Sequence, residues 1–350
     1  MSLSFEKKDE RKSEISVLNV LFCFMVIFIH ITSYPLTNLE PTSLSVKVLH
    51  VFWRLCSCAV YGFIFLSGEK LFLKDKKSFS LKKFYVSRLK KIFIPYIIAV
   101  CFYYFYEIHR GYYSFSSFEL LKFFLNGKIE CHLYFVVIIM QFYLLMPIWQ
   151  RLANFEHKCF WLFLFFVINI AFVYGVPMIF SSFEYNDRIF SSYIFFWVLG
   201  CFCGKNYESF LKIIKKHRAV IYLFFAVFSC FDVWFSYLCK FGRFYRLTET
   251  VHLLYCFSAI LFFYALSICI RDKKFEKTKF FKNINGASYE IYLLHIFVLY
   301  KANDLIARYR IGGELKAWVF RGIFVYAVTI FVCVFYKYIK NLIMKRKNRV

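Results

Sequence analysis

Residues 15–34 read ISVLNVLFCFMVIFIHITSY, and Asn19 and His30 stand out in this run of Leu, Val, Ile, Phe and Met. An α-helix rises 1.5 Å per residue, so about 20 apolar residues match a hydrocarbon core of ~30 Å. The chain therefore enters a membrane at its first apolar run and carries a titratable group in with it. A histidine at membrane depth is costly to bury and marks a functional position by default.

The remainder of the 350 residues has the same character. Apolar residues make up 61% and aromatics 24%, with 50 Phe and 27 Tyr, while only 5 Pro and 12 Gly interrupt the chain. An ordinary soluble domain is roughly half apolar. Ten apolar stretches follow in order, near 15–34, 49–72, 92–108, 130–149, 159–178, 189–204, 219–239, 250–270, 284–301 and 317–339. They lack the alternating apolar–polar period of a membrane β-barrel. The expected fold is an all-α, polytopic transmembrane bundle of about ten spans, one membrane domain over residues 1–350. The stretches 189–204 (short) and 284–301 (with Asn285, Ser288 and Glu290) are the weakest, so eight or nine spans would also fit.

A net charge of +25 could signal nucleic acid, but its distribution points elsewhere. Of the 46 Lys and Arg, 32 fall in alternate connections or at the span ends that bound them, and 12 in the opposite ones. The positive-inside rule then puts both termini in the cytoplasm, with residues 1–14 and 340–350 as cytoplasmic tails. The basic excess reads as topology plus contact with anionic lipid, and no nucleic-acid partner is expected. The N-terminal MSLSFEKKDERKSE is too acidic and too long for a typical cleaved signal, so the first span is expected to be retained. Thirteen Cys are scattered, mostly within spans, and Cys56/Cys58 and Cys201/Cys203 have no metal-ligand spacing. No P-loop, GxGxxG, HExxH or GxSxG motif occurs, which leaves nucleotide hydrolysis and hydrolase triads without support.

With both termini inside, four polar groups fall at similar depth in the outer half: His30, the pair His50 and Arg54, His132, and His295. His50 and Arg54 are four residues apart and share a helix face. Matched depth favours one polar cavity over separate accidents. On the inner side, Ser67-Gly68-Glu69 ends the second span and Tyr85-Val86-Ser87-Arg88-Leu89-Lys90-Lys91 leads into Pro95. A small-residue turn facing a basic cluster suits a phosphate-bearing ligand.

These pieces resemble the acyltransferase 3 family of bacterial integral-membrane acyltransferases. The resemblance rests on the first span ending in His30, Arg54 followed by FIFLSGEKLF, FYVSRLKKIFIPY at 84–96, CHLYFVVIIMQFYLLMP at 131–147, FFWVLGCFCG around Gly200, and ASYEIYLLHIF at 287–297. They lie in the family's order over nearly the whole chain. HLYFVVIIMQFYLLMP is also similar to the branch associated with poly-N-acetylglucosamine.

The resemblance implies an acyl-CoA donor (acetyl-CoA by default) on the cytoplasmic side and a hydroxyl acceptor on a surface polysaccharide or its lipid-linked precursor. It places the protein in the bacterial cytoplasmic membrane, with membrane lipids as its surroundings. It also implies that His30 is central to catalysis and that Arg54 and Arg88 are the family's basic positions. One departure stands out: eleven residues before the histidine the family has Arg or Lys, and this chain has Asn19. Another cation, such as Lys12 or Arg88, would have to take that duty.

The expected mechanism has His30 as general base toward a sugar hydroxyl. Arg54 or His132 would stabilise the oxyanion, with His295 in the same cavity. Ser67, Gly68, Arg88, Lys90 and Lys91 would hold the donor. No metal is expected. Export of a polysaccharide or lipid-linked sugar through the same cavity is the alternative reading.

Overall fold

The computed structural model describes residues 12–73, 79–180, 185–242, 247–270 and 278–347. Most of the predicted N-terminal tail (residues 1–11), the basic residues Lys74, Lys76 and Lys77, and the last three residues of the predicted C-terminal tail lie outside the described residues. Every regular element among the described residues is helical. In order these are α1 (Ser13–Asn38), α2 (Leu44–Cys56), α3 (Ala59–Phe72), α4 (Leu81–Arg88) and α5 (Ile94–His109). After a crossing loop come α6 (Ser117–Asn126), α7 (Tyr134–Leu144), α8 (Met146–Leu152), α9 (Lys158–Ile179) and α10 (Ile194–Lys205). The last five are α11 (Tyr207–Lys216), α12 (Arg218–Cys239), α13 (Thr248–Ile270), α14 (Lys279–Arg308) and α15 (Glu314–Lys347).

Local chemistry sets several of the boundaries. Ser43, Ser80, Ser116 and Thr278 cap α2, α4, α6 and α14 by accepting a hydrogen bond from a backbone N–H three residues on. Pro147 has no N–H to continue the ladder, and the chain bends 64° between α7 and α8. The Trp149 indole there donates to the Phe142 carbonyl at 2.8 Å, and so satisfies a carbonyl near the break.

Seven helical segments among the described residues are long and apolar enough to cross a membrane, and the bent α7–α8 pair would make eight. The chain is thus a multi-pass integral-membrane protein. The difference from ten comes from α10, which has 12 residues, and α14, whose 30 residues carry too much polarity. Helix α1 sits at the centre, packed against α2, α3, α13, α14 and α15. By contrast α9 and α12 bury little beyond Asn169, Ile221 and Asp232, and present Phe, Val, Leu and Trp outward, as lipid-facing helices do.

Short α10 is buried on every side, and glycine explains how closely it lies against α3. A Cβ at Gly200 would strike the Phe65 carbonyl, one at Gly204 the Glu69 carbonyl, and one at Gly68 would come within 2.6 Å of Trp197 O. Small residues let backbones approach where lipid offers no hydrophobic drive between helices. Gly68, predicted to cradle a ligand, is instead occupied by this contact.

Candidate active site

Three of the predicted outer-half groups converge. His30 from α1, His132 from the turn before α7, and His295 from α14 bring their imidazoles together. Ring centroids are 5.1 Å apart for His30–His295, 4.9 Å for His132–His295 and 6.3 Å for His30–His132. His132 and His295 are buried, and His30 is partly exposed. The Cys131 sulfur lies 3.6 Å from His30 Nδ1. His295 Nδ1 donates to the Tyr292 carbonyl at 2.7 Å, so in the neutral ring Nε2 carries the lone pair.

That Nε2 and both nitrogens of His132 have no hydrogen-bond partner although they are buried. Buried polar atoms are nearly always paired, so three such atoms in one cluster mark a place built for something other than packing. Tyr103 and Tyr292 hold the frame. The Tyr103 hydroxyl donates to Leu293 O at 2.8 Å and accepts from Phe297 N, while the Tyr292 hydroxyl donates to His132 O.

Below this cluster lies a cavity of about 220 Å³. Its polar lining is Asn19, Ser67, Lys70, Arg88, Tyr143, Ser288, Tyr289 and Tyr292, with no carboxylate among the lining residues. Tyr292 joins the two compartments, since it lines the cavity and its ring centroid is 5.3 Å from that of His132. Asn19 is the node of the cavity's network. It donates to Asn285 Oδ1 at 2.9 Å and to Ser288 Oγ at 2.7 Å, and accepts from Lys70 Nζ at 2.9 Å. The cation beside position 19 is therefore Lys70, on the neighbouring α3, rather than Lys12, which pairs with Glu208 at 3.4 Å.

Sequence reasoning missed Lys70. Its signal was the spacing of three from Ser67, which puts both on one face of α3. Arg88 stacks over the rings of Phe84 and Tyr143, at 5.2 and 5.1 Å, and its buried Nε has no partner. It closes α4, just before a π-helical turn, Leu89–Phe93, of the kind often found at functional sites.

Other predicted residues go elsewhere. Arg54 makes a two-pronged ion pair with Asp232, both contacts 2.8 Å, and Asp232 also meets His252 Nδ1 at 3.1 Å. Its guanidinium is thus committed to a separate triad of α2, α12 and α13. Lys90 and Lys91 are exposed on the π turn and do not line the cavity. His50, one turn before Arg54, is buried between the rings of Trp53 and Tyr237. Among the described residues, no group of three or more His, Cys, Asp or Glu is arranged to hold a metal ion.

Comparison with known proteins identifies the family of the chain. The family described as an acyltransferase domain matches residues 13–338. The chain is similar to a Staphylococcus aureus (strain MSSA476) protein named "Probable poly-beta-1,6-N-acetyl-D-glucosamine export protein", 27% identical over 304 residues, 82% of each chain. A Staphylococcus epidermidis protein of the same name is 26% identical over 310 residues, 83% of this chain and 82% of the relative. No solved structure matches the chain.

Proposed function

Because the chain belongs to the acyltransferase 3 family, matched over residues 13–338, we propose that it transfers an acyl group, acetyl by default, from acyl-CoA to a hydroxyl of a surface polysaccharide or its lipid-linked precursor. The observation that carries this reading is the pairing of a three-imidazole cluster with a cavity holding two cations, Lys70 and Arg88, and no carboxylate. Cations with hydroxyl and amide donors recognise phosphate, and the donor's phosphates supply that charge. Lys90 and Lys91 extend the positive region outward from Arg88.

The chemistry divides among the histidines. His30, partly exposed, takes the proton of the sugar hydroxyl as its oxygen attacks the thioester carbonyl. His132 carries one N–H in either neutral tautomer and offers it to the tetrahedral oxyanion. As the intermediate collapses, the C–S bond breaks and the CoA thiolate receives the proton from His30. His295, tied through Nδ1 to Tyr292 O, keeps the cluster in register. Arg54 takes no part in this scheme, since Asp232 and His252 occupy it.

The relatives' printed name favours a second reading, export of the glycan, with the same cluster serving as a polar passage. Radiolabelled acetyl-CoA supplied to purified protein in lipid vesicles, with isolated surface polysaccharide as acceptor, separates the two. Wild type is expected to transfer label and His30→Ala to transfer none. Lys70→Met is expected to raise the donor KM about tenfold to a hundredfold, the range for losing one charged hydrogen bond. Equal transfer by His30→Ala would remove the catalytic role. Glycan movement across the vesicle without any label transfer would leave export.

A further inference from the structure

Away from the candidate active site, a second and larger concavity of about 520 Å³ opens between α2 and α12, within the ~300–1,000 Å³ range of ligand pockets. Its walls are apolar: Val51 and Leu55 on one side, Val233 and Trp234 on the other. Trp234 and its neighbours Phe231 and Val227 are exposed on the outer face of α12, so the groove opens toward hydrocarbon. One end is different. Lys47 and His50 of α2 both line it, and Lys47 is exposed. His50 is only 3% exposed and neither ring nitrogen has a partner. No carboxylate lines the groove, and Asp232 nearby is paired with the Arg54 guanidinium.

We propose that this groove is a site for an anionic phospholipid, with one hydrocarbon tail along the α2–α12 walls and the phosphate at Lys47 and His50. The tail matches the apolar walls. The phosphate matches a lysine ammonium and an imidazole N–H, which His50 carries in either tautomer. An extended polypeptide segment fits poorly, because a groove facing lipid would leave its backbone groups without partners. The site shares no lining residue with the cavity beside the histidines, so it stands or falls independently of the proposed reaction.

Trp234 provides the readout. The full-length protein is placed in phosphatidylcholine vesicles containing a graded fraction of either dibrominated phosphatidylglycerol or dibrominated phosphatidylcholine. The Trp234 signal is taken as the difference between wild type and Trp234→Phe. Bromine on phosphatidylglycerol is expected to quench Trp234 with an apparent preference of about fivefold, the factor that roughly 1 kcal/mol per nearby cation supplies. Lys47→Gln and His50→Gln should each bring the two quenching curves together, and Lys47, being exposed, can be changed without disturbing the fold. Identical curves in wild type would reduce the groove to ordinary lipid contact and overturn the proposal. A preference that survives both substitutions would overturn it too. Quenching by neither lipid, together with a dimeric mass by light scattering, would place a second copy of the chain there instead.

Discussion

At the residue scale, the Arg54–Asp232–His252 triad has the sharpest consequence for stability. Asp232 is 1% exposed and holds both prongs of the guanidinium. Removing one member of a buried ion pair leaves an uncompensated charge and costs about 3–5 kcal/mol. Asp232→Ala is therefore expected to lower the thermal midpoint of the detergent-solubilised protein by several degrees, whereas Lys90→Ala, on an exposed position, should not move it. Asp232→Asn keeps an oxygen for Arg54 and should fall between the two. The triad also shows where reading the sequence stops short. His30, His132 and His295 were legible as a group because each is conspicuous within its own apolar run and the charge pattern set their depths. The fate of Arg54 was not, because its partner lies 178 residues away and no local spacing announces it. Lys70 was hidden differently: at a span end it passes for an ordinary cytoplasmic lysine until Asn19 is placed beside it.

Between helices, the decisive element is α10 against α3. Gly200 and Gly204 let the two backbones meet, and nothing in this contact can yield, since the obstructing atoms are themselves backbone carbonyls. Gly200→Leu is expected to push the helices apart and cost more than the 1–3 kcal/mol typical of overpacking. The readout is loss of the monodisperse peak on size-exclusion chromatography. Gly175→Leu, on α9 where no atom lies within 4 Å, is the matched control and should elute as wild type. Most spans could be read from hydropathy alone, because length and apolarity suffice for a helix surrounded by lipid. Helix α14 was one of the two weak cases, beside short α10, and its polar residues now have reasons. Asn285 and Ser288 bind Asn19, and Glu290 pairs with Lys337 of α15 at 3.6 Å. Ser288 lines the cavity, Asn285 braces Asn19 beside it, and Glu290 ties α14 to α15, so the polarity that lowers the hydropathy is spent on contacts within the bundle.

For the molecule as a whole, the charge asymmetry predicts orientation. A fluorescent protein fused after Val350 should fold and fluoresce, as it does only in the cytoplasm, while an alkaline phosphatase fused there should be inactive. The reverse pattern would invert the bundle and exchange the two faces of the site. Helix α11, by contrast, was read only as a basic connection. It is amphipathic, burying Tyr207, Phe210, Leu211 and Ile214 against the bundle and turning Lys212, Lys215 and Lys216 outward. Its length is too short for a span, and a hydropathy average conceals the two faces. Tyr292 finally ties the two compartments of the site together. One phenol ring stands between a cavity bearing two cations and a cluster of three imidazoles. Because its hydroxyl is anchored to His132 O, the partition between the two compartments and the register of the histidines form a single latch, in which neither part can shift alone.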